Sequence, residues 1–369
     1  MNTKMIRVVL LGLGSVATET HNGGHLKQYI NDPNIKVVSG IDPSPEARSR
    51  ALQKGIPVVY PTFEDAVEKE EFDFVAILTP TKKHLECCHQ VALSGKNILC
   101  EKPLASSLEE ALAIQNIVKT SGISFLVNMN LRFVPIVQKI YEDINHGQFG
   151  QLFFLDFDEC TSFKWTTYGK RKQENYSISS KSFWGNPKEY GLQRLIILDK
   201  VVHFIDLIRI WSGASITSVY VQGGCQGCHM DAGENISSIQ MTLSNGLRCR
   251  LLNIWGSHFD DRAGGELSTR IRIFGDKGTA VYESYKKGAV GKYSIFENKT
   301  EVFTMEFPPA ERKDFADSLK ALANLVQQDE KDYKDLESAI EVMRVIEACY
   351  QSLEKNIIVN IAVAENNKG

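Results

Sequence analysis

The heptapeptide Asn97-Ile98-Leu99-Cys100-Glu101-Lys102-Pro103 decides how the rest of the chain is interpreted. Its first half is a short apolar run that is typical of a buried strand. Pro103 ends that strand, because proline has no N–H to donate to a sheet. Glu101 and Lys102 are therefore expected at the carboxyl end of a strand, which in open parallel sheets is the edge where ligands bind. From this stretch alone, Lys102 is either a paired surface residue or a functional one.

The composition predicts a globular protein of two domains. The chain has 369 residues, of which 43% are hydrophobic and 24% charged, with a net charge of −3. This balance gives no reason to expect nucleic acid or an anionic membrane surface as a partner. No apolar run approaches the roughly 20 residues of a membrane span. No signal-peptide core precedes the first strand, so a cytoplasmic location is expected. The eight cysteines lie mostly in apolar runs and are expected to be reduced.

A glycine-rich turn follows the first predicted strand, Ile6–Leu11. The turn reads Gly12-Leu13-Gly14-Ser15-Val16-Ala17, a G-x-G-x-x-A pattern between a strand and a helical segment that ends near Tyr29. In dinucleotide-binding folds the first glycine makes the tight turn and the second lets the backbone approach a pyrophosphate. The helix that follows offers N–H groups to the phosphates. We therefore predict that the cofactor's pyrophosphate binds at Gly12, Gly14, Ser15 and Val16.

An aspartate, Asp42, ends the second predicted strand, Ile35–Ile41. Dinucleotide-binding folds place an acidic residue at about this distance, where it bonds the 2′-hydroxyl of the ribose. A carboxylate there repels a 2′-phosphate, so the sequence favours NAD over NADP. The alternative is an ordinary turn or cap aspartate before Pro43.

Strands and helices alternate through the first third of the chain, which is typical of a doubly wound parallel sheet. Further strands are predicted at Asp73–Leu78, around Ile98, and at Ile123–Val127. Helices are predicted at His84–Ser94 and at about Leu108–Thr120, the latter with Ser106 or Ser107 as its cap.

The glycine turn, Asp42, Thr79-Pro80 with His84, and Glu101-Lys102-Pro103 together resemble the Gfo/Idh/MocA oxidoreductases. The E-K-P sequence is the most specific of these motifs. The resemblance implies an NAD(P)-binding Rossmann domain at residues 1–127. It also implies an α+β domain with a large, mostly antiparallel sheet at residues 128–369, for substrate binding and oligomerisation as a homodimer or homotetramer.

The same resemblance assigns further residues to the cofactor. Thr79, Pro80 and His84 are expected to line the path to the nicotinamide, beside Glu101 and Lys102. The segment Asn128-x-Asn130-x-Arg132 resembles the stretch that leaves the family's nucleotide domain. Arg132 is accordingly expected next to the cofactor or at the domain junction.

An apolar helical pattern at Leu195–Trp211 carries Asp199 and His203, whose i, i+4 spacing puts them on one face of a helix. By itself this pattern favours a satisfied core histidine. The resemblance favours a functional pair, because the family carries a D-x-x-x-H sequence in this region. This chain departs from the family's usual glycines nearby, with Leu192-Gln193-Arg194-Leu195 before the aspartate and Val201 two residues after it. An altered substrate pocket is therefore expected.

Closely spaced strand patterns between Ile216 and Met305 predict a mostly antiparallel sheet. The aperiodic segment Thr161–Gln193 is either a solvated insertion or a lid over the site. If it is a lid, its Lys170, Arg171 and Lys172 favour an anionic substrate. Cys225-Gln226-Gly227-Cys228-His229 spells the c-type haem attachment pattern, but we interpret it as an ordinary loop.

These residues predict an NAD(P)-dependent dehydrogenase or reductase acting on a CH–OH group of a sugar, a cyclitol or a related, possibly anionic polyol. His203 is assigned as the general base, since its ordinary pKa of about 6.5 suits that role. Asp199 would bind the substrate or orient His203, and Lys102, supported by Glu101, would stabilise charge on the reacting oxygen. No metal is expected. The alternatives are an NAD-dependent glycoside-cleaving enzyme and a non-catalytic NAD-binding regulator.

Overall fold

A computed structural model describes residues 5–161, 196–224, 234–255, 268–285, 291–307, 313–327 and 333–362. The basic segment with Lys170, Arg171 and Lys172, the stretch Leu192–Leu195 and the Cys225–His229 sequence lie outside the described residues. Contacts divide the chain into two compact units. The described residues of the first unit are 5–134, 313–327 and 333–343, and the other described residues form the second.

The first unit contains a six-stranded sheet flanked by helices. Its strands are β1 (Ile6–Leu11), β2 (Ile35–Ile41), β3 (Val59–Tyr60), β4 (Phe74–Ile77), β5 (Asn97–Cys100) and β6 (Phe125–Val127). Its first helices are α1 (Ser15–Thr18), α2 (Thr20–Asn31), α3 (Pro45–Gln53), α4 (Phe63–Lys69), α5 (His84–Leu93) and α6 (Leu108–Ser121), with 3₁₀ turns at Thr81–Lys83 and Asn130–Phe133.

All neighbouring strands of this sheet are parallel, in the order β3-β2-β1-β4-β5-β6. The order reverses between β1 and β4, which makes the carboxyl ends of these strands the ligand-binding crevice of a doubly wound sheet. The predicted parallel Rossmann sheet is therefore confirmed. Ser107 caps α6 by accepting a hydrogen bond from the Glu110 N–H, as the sequence indicated.

The helical segment after the glycine turn is broken, where the sequence predicted a continuous one. Glu19, between α1 and α2, has a φ of −132°, outside the α-helical range. The chain then packs back so closely that a Cβ atom on Gly24 would lie 2.4 Å from the Val16 carbonyl oxygen. Gly24 also has a φ of +66°, so glycine is required at this position for two reasons.

A helix from late in the chain completes the first unit. Helix α9 (Asp314–Gln327) buries Phe315, Leu319 and Leu322 in the same apolar core as Leu10 and Tyr29. The sequence grouped this helix with residues 128–369. Its amphipathic pattern shows that one face is buried but carries no information about the partner. The predicted boundary after residue 127 stays a prediction.

The second unit is built on a nine-stranded sheet. Its strands are β7 (Leu152–Thr161), β8 (Ile216–Gly224), β9 (Ile236–Leu243), β10 (Arg248–Trp255), β11 (Ser268–Gly275), β12 (Thr279–Tyr285), β13 (Gly291–Glu297), β14 (Thr300–Phe307) and β15 (Val359–Asn360). The helical elements are α7 (Pro135–Asn145), a π-helix (Ile197–Val201), α8 (Val202–Ser212) and α10 (Lys334–Lys355), which begins in the first unit.

This sheet has the order β14-β13-β12-β11-β7-β10-β9-β8-β15 and is antiparallel except between β7 and β10. The predicted mostly antiparallel sheet is confirmed. One face packs on α8, where Phe157 of β7 contacts Phe204 and Trp211. The two-residue periodicity of β7 therefore directs Leu155, Phe157 and Glu159 toward the helix.

Two further findings concern the described part of the chain. Its six cysteines carry free thiols, five of them buried. Within the same residues, no helix combines the length and the apolar character needed to cross a membrane.

Candidate active site

The glycine turn brings the end of β1 against the end of β4. Gly12 has a φ of +98°, and a Cβ atom there would lie 2.8 Å from the Leu78 carbonyl carbon and the Thr79 nitrogen. Only glycine permits both the left-handed backbone and this approach. Beside Gly14, by contrast, a Cβ atom would find no atom within 4 Å. The turn is therefore closely packed against the β4 end at Gly12 and open at Gly14, the position predicted to face the pyrophosphate.

Asp42 connects this turn to the end of β2. Its Oδ2 accepts a hydrogen bond from the Leu13 N–H at 2.9 Å, and its Oδ1 accepts one from the Ser44 N–H at 2.9 Å. The carboxylate is half-buried. With these bonds Asp42 stabilises the turn, which is the role that the sequence analysis gave as the alternative to ribose binding. They use one lone pair of each oxygen and leave capacity for a hydroxyl donor, so the ribose role stays a prediction.

Ser15 is the buried polar residue of the turn. The residue is 7% exposed, and its Oγ has no hydrogen-bond partner among the described residues. A buried hydroxyl without a partner is rare in native proteins. A phosphate oxygen at the turn would accept a hydrogen bond from this hydroxyl, so the residues present fit the pyrophosphate of a dinucleotide.

Glu101 is buried directly after β5, and side chains from two other elements bind its carboxylate. Its Oε1 lies 2.7 Å from Nε2 of His25 on α2 and accepts a hydrogen bond from Asn128 Nδ2 after β6. Its Oε2 accepts the backbone N–H of Lys102 at 3.1 Å. Burial raises the pKa of Glu101. The hydrogen bond from His25 and the charges of His25 and Lys102 lower it by a larger amount. The pKa is therefore below its ordinary value and the carboxylate stays ionised.

His25 is itself held on both sides. Its Nδ1 lies 2.9 Å from the Tyr29 hydroxyl, and its ring stacks on Phe315 of α9 at a centroid distance of 4.0 Å. Asp314, at the start of α9, binds the side chains of Gln28 and Asn130. The support of the E-K-P turn therefore extends through α2 to α9.

His84 joins the β4 end to the E-K-P turn. Its Nε2 lies 3.0 Å from the Thr79 carbonyl oxygen, and its Nδ1 lies 3.1 Å from the Pro103 carbonyl oxygen. The ring is 1% exposed, and desolvation lowers its pKa. Both ring nitrogens face protein carbonyl oxygens. His84 therefore links the turn after β4 to the E-K-P turn, and both turns belong to the predicted path to the nicotinamide. Thr79 is half-buried and Pro80 is exposed at the same edge.

Arg132 is partly buried and forms an ion pair with Asp335 at the start of α10. This contact accounts for a charged side chain at the end of the nucleotide-binding segment. Its assignment to the cofactor stays a prediction.

In the second unit, Asp199 and His203 lie on either side of a helix junction. Asp199 belongs to the π-helix and His203 to the first turn of α8, where it is 8% exposed. The sequence predicted an uninterrupted α-helix here. Single π-helical turns inside α-helices occur frequently at functional sites.

Two side chains distant in sequence hold the start of the π-helix. Glu234 Oε1 accepts hydrogen bonds from the Ile197 N–H at 3.0 Å and from the Tyr350 hydroxyl at 2.9 Å. The Tyr350 oxygen in turn accepts the Leu198 N–H at 3.1 Å. These contacts give the backbone N–H groups of Ile197 and Leu198 side-chain partners from distant parts of the sequence.

The structure thus groups the predicted residues within each unit. One edge of the sheet is lined by Gly12, Gly14, Ser15, Val16 and Asp42. Thr79 and Pro80 follow β4 at this edge, and Glu101 and Lys102 follow β5. Sequence reasoning missed His25, Glu234 and Tyr350 and gave Asn128 no role of its own, because each acts on a residue far away in sequence. No group of three or more potential metal-ligating side chains occurs in the described ranges.

Comparison with known proteins identifies the family. Residues 6–129 match the model of the Gfo/Idh/MocA oxidoreductase family, NAD-binding Rossmann fold, and residues 142–361 match its C-terminal alpha/beta domain. The chain belongs to the Gfo/Idh/MocA family. The resemblance drawn from the glycine turn, Asp42, Thr79-Pro80 with His84 and Glu101-Lys102-Pro103 is therefore confirmed, as is the prediction of an oxidoreductase with an NAD-binding Rossmann fold.

Individual relatives of this Gfo/Idh/MocA protein are distant. An uncharacterized oxidoreductase of Bacillus subtilis, YrbE, is 22% identical over 371 residues, 98% of both chains. An aldose-aldose oxidoreductase from Caulobacter crescentus, complexed with glycerol, superimposes with a TM-score of 0.77 at 17% identity, covering 97% of this chain and all of that one. A scyllo-inositol dehydrogenase from Lactobacillus casei, with NAD(H) and scyllo-inositol bound, has a TM-score of 0.74 at 18% identity and covers 98% and 100%. At these identities the structures show the shared fold.

Proposed function

We propose that this Gfo/Idh/MocA protein transfers a hydride between NAD and a carbinol or ketone carbon of a sugar, cyclitol or related polyol. The observation that carries the proposal is the placement of Lys102. It follows β5 at the carboxyl edge of the sheet, the same edge as the glycine turn after β1, and Glu101 binds its backbone through a fixed carboxylate.

The cofactor assignment is supported by the residues of the turn. The hydroxyl of Ser15, the open side of Gly14 and the N–H groups at the start of α1 are suited to a pyrophosphate. Asp42 offers carboxylate oxygens to a ribose hydroxyl and repels a 2′-phosphate, which favours NAD over NADP. NAD supplies the hydride acceptor for the oxidation of an alcohol.

The protein supplies the acid–base groups. We assign His203 as the general base that accepts the hydroxyl proton, with Asp199 binding the substrate or orienting the imidazole. Lys102 donates a hydrogen bond to the reacting oxygen and stabilises the negative charge that develops there.

The structural neighbours support this substrate class. The Lactobacillus casei protein is named a scyllo-inositol dehydrogenase, and the Caulobacter crescentus protein an aldose-aldose oxidoreductase. Both names describe oxidoreductases of polyhydroxylated compounds.

The test is a screen for NADH formation with NAD and a panel of sugars, cyclitols and their acids, followed by Lys102→Ala and His203→Ala. We expect each substitution to lower kcat by at least about a hundredfold, with little change in the Kd of NAD measured by calorimetry. Exposed Lys82→Ala serves as the control. Near-normal turnover in both variants contradicts the assignment.

The same screen distinguishes the two alternatives. Release of a sugar from a glycoside without net NADH formation supports the glycoside-cleaving enzyme. NAD binding without oxidation or reduction of any panel member supports the regulator.

A further inference from the structure

We infer that Lys200 is a positioning residue for the proposed hydride transfer, because its ion pair with Glu159 holds the π-helical turn that carries Asp199. The inference deepens the proposed function and rests on it, since it assumes that Asp199 and His203 act on the substrate. The sequence assigned no role to either member of the ion pair.

The ion pair joins the π-helix to the sheet of the second unit. Lys200 is the fourth of the five π-helical residues, and its Nζ lies 3.8 Å from Oε1 of Glu159 on β7. Phe157, two residues before Glu159, contacts Phe204 of α8. Because alternate residues of a strand share a face, Glu159 lies on the face of β7 that packs on α8.

Glu159 is a carboxylate on an apolar face. The residue is 3% exposed, and the preceding residues on this face, Leu155 and Phe157, are buried and apolar. An ionised carboxylate in such surroundings requires an opposite charge, and Lys200 supplies one while its side chain stays 33% exposed. Replacement of such a pair by two apolar residues often leaves stability unchanged or raises it. Stability alone therefore gives no reason for an ion pair at this position.

Positioning of the turn does give a reason. A π-helix has one more residue in each hydrogen-bonded turn than an α-helix. If this turn relaxed into an α-helix, the residues before it would shift by one position relative to α8, which is a rotation of about 100°. Asp199 would then point in another direction relative to His203. A contact that fixes the turn therefore also fixes the geometry of the two residues assigned to catalysis.

Asp199 lies between two such contacts. On its N-terminal side, the N–H groups of Ile197 and Leu198 bind Glu234 and Tyr350. On its C-terminal side, the next residue is Lys200, which binds the sheet through Glu159. The turn is thus held on both sides of the aspartate by side chains that are distant in the sequence.

The first experiment removes the positive charge. Methionine keeps the unbranched shape of lysine, so Lys200→Met breaks the ion pair with little change in volume. We expect kcat to fall about tenfold with an unchanged Kd of NAD, and Tm to fall by about 3 °C. Lys200→Arg keeps the charge and should retain kcat within about twofold.

A double variant separates positioning from stability. Glu159→Met combined with Lys200→Met replaces the ion pair by two apolar side chains, so Tm should be equal to that of the wild type or higher. We still expect kcat to be about tenfold lower, because nothing directs the turn. Wild-type turnover in the double variant means that Lys200 only compensates the charge of Glu159, and it overturns the inference.

The control is an exposed ion pair of the same sheet, Lys292 with Glu301, whose charged atoms are 3.4 Å apart. The combination of Lys292→Met with Glu301→Met should leave kcat unchanged and Tm close to the wild-type value. If this control loses as much turnover as the first double variant, the effect is not specific to the π-helix and the inference is wrong.

Hydrogen exchange tests the inference without turnover. We expect the backbone amides of residues 197–201 to exchange about tenfold faster in Lys200→Met and in its double variant, and at the wild-type rate in the control. If no compound of the panel is oxidised or reduced, the proposed function fails, and faster exchange still supports the role of Lys200 in holding the turn. If NADH forms but Lys200→Met changes neither exchange nor kcat, the proposed function holds and the inference fails.

Discussion

His25 and Glu101 are 76 residues apart in sequence, yet Nε2 of the histidine lies 2.7 Å from Oε1 of the carboxylate in the interior of the first unit. The histidine is fully buried and the glutamate nearly so. Helix α2 therefore holds one carboxylate oxygen of Glu101, and the other accepts a hydrogen bond from the backbone N–H of Lys102. We interpret His25 as a positioning residue for Lys102.

His25→Phe tests this interpretation, because phenylalanine can keep the stack on Phe315 but has no donor for Glu101. We expect the variant to lose about 3 kcal/mol of unfolding free energy, since it leaves a buried carboxylate short of a partner. It should also lower kcat about tenfold while the Kd of NAD changes little. Denaturant unfolding, steady-state kinetics and calorimetry provide the three measurements.

Two variants make the test of His25 specific. His89→Phe, at an exposed position, should change neither stability nor turnover. Adding Glu101→Gln to His25→Phe should recover part of the stability without restoring kcat, because it neutralises the buried charge but keeps Lys102 displaced. Wild-type stability in His25→Phe alone contradicts the interpretation.

His84 predicts a pH dependence of stability. Desolvation lowers its pKa in the folded protein from the ordinary value of 6.5. Below pH 6.5 the unfolded chain binds a proton at this residue that the folded chain resists. The stability that the neutral His84 contributes to the folded protein is therefore fully present above pH 6.5 and is lost as the pH falls toward the lowered pKa. We expect His84→Gln to flatten the fall in unfolding free energy between pH 6.5 and pH 5 by up to about 1.4 kcal/mol per pH unit, as measured by denaturant unfolding. Exposed His89→Gln should leave the slope unchanged.

Asp42 predicts the cofactor preference. Asp42→Ser removes the negative charge and keeps a short polar group at the end of β2. We expect NAD to bind about tenfold more weakly, while the Kd of NADP stays equal or falls, because the 2′-phosphate is no longer repelled. Glu46→Gln, a nearby exposed charge change, is the control. If the ratio of the two dissociation constants is unchanged in Asp42→Ser, the aspartate serves only the Leu13 and Ser44 N–H groups.

The sequence predicted what local patterns encode. Apolar runs with turn residues located the strands of both sheets, and the glycine turn together with E-K-P identified the edge of the first sheet. The assembly of α9 with α2 was not predictable, since an amphipathic helix reveals that it is buried but not its partner. The π-helical turn at Asp199 was also missed, because the contacts that hold it come from Glu234 and Tyr350, distant in the chain.

The sequence also carried a signal for two buried polar residues that pair in the second sheet, Glu159 of β7 and Asn253 of β10. Along β7 the inward positions read Leu155, Phe157, Glu159, and along β10 they read Cys249, Leu251, Asn253. A polar residue that continues an apolar alternation is expected to be buried. What the sequence did not show is that the two strands are neighbours in the sheet. Their register supplies that information.

Tyr350 tests the support of the π-helix. Its hydroxyl accepts the Leu198 N–H and donates to Glu234, so Tyr350→Phe removes one partner from each. We expect a loss of about 1–2 kcal/mol in unfolding free energy and a several-fold lower kcat through displacement of Asp199. Tyr220→Phe, which removes an exposed hydroxyl bonded to Asn356, is the matched control and should cost less than about 0.5 kcal/mol. Equal effects in the two variants contradict the supporting role.

Ser15 separates cofactor binding from folding within the first unit. Within the described part of the chain, its buried hydroxyl has no partner, and neither has that of Ser39 in the middle of β2. Replacing either by alanine removes a buried, unsatisfied group, so both variants should be as stable as the wild type or slightly more stable. Only Ser15→Ala should weaken binding, by about five- to tenfold and equally for NAD and NADP, because both cofactors share the pyrophosphate. Unchanged affinity in Ser15→Ala, or an equal loss in Ser39→Ala, places the pyrophosphate elsewhere than at this turn.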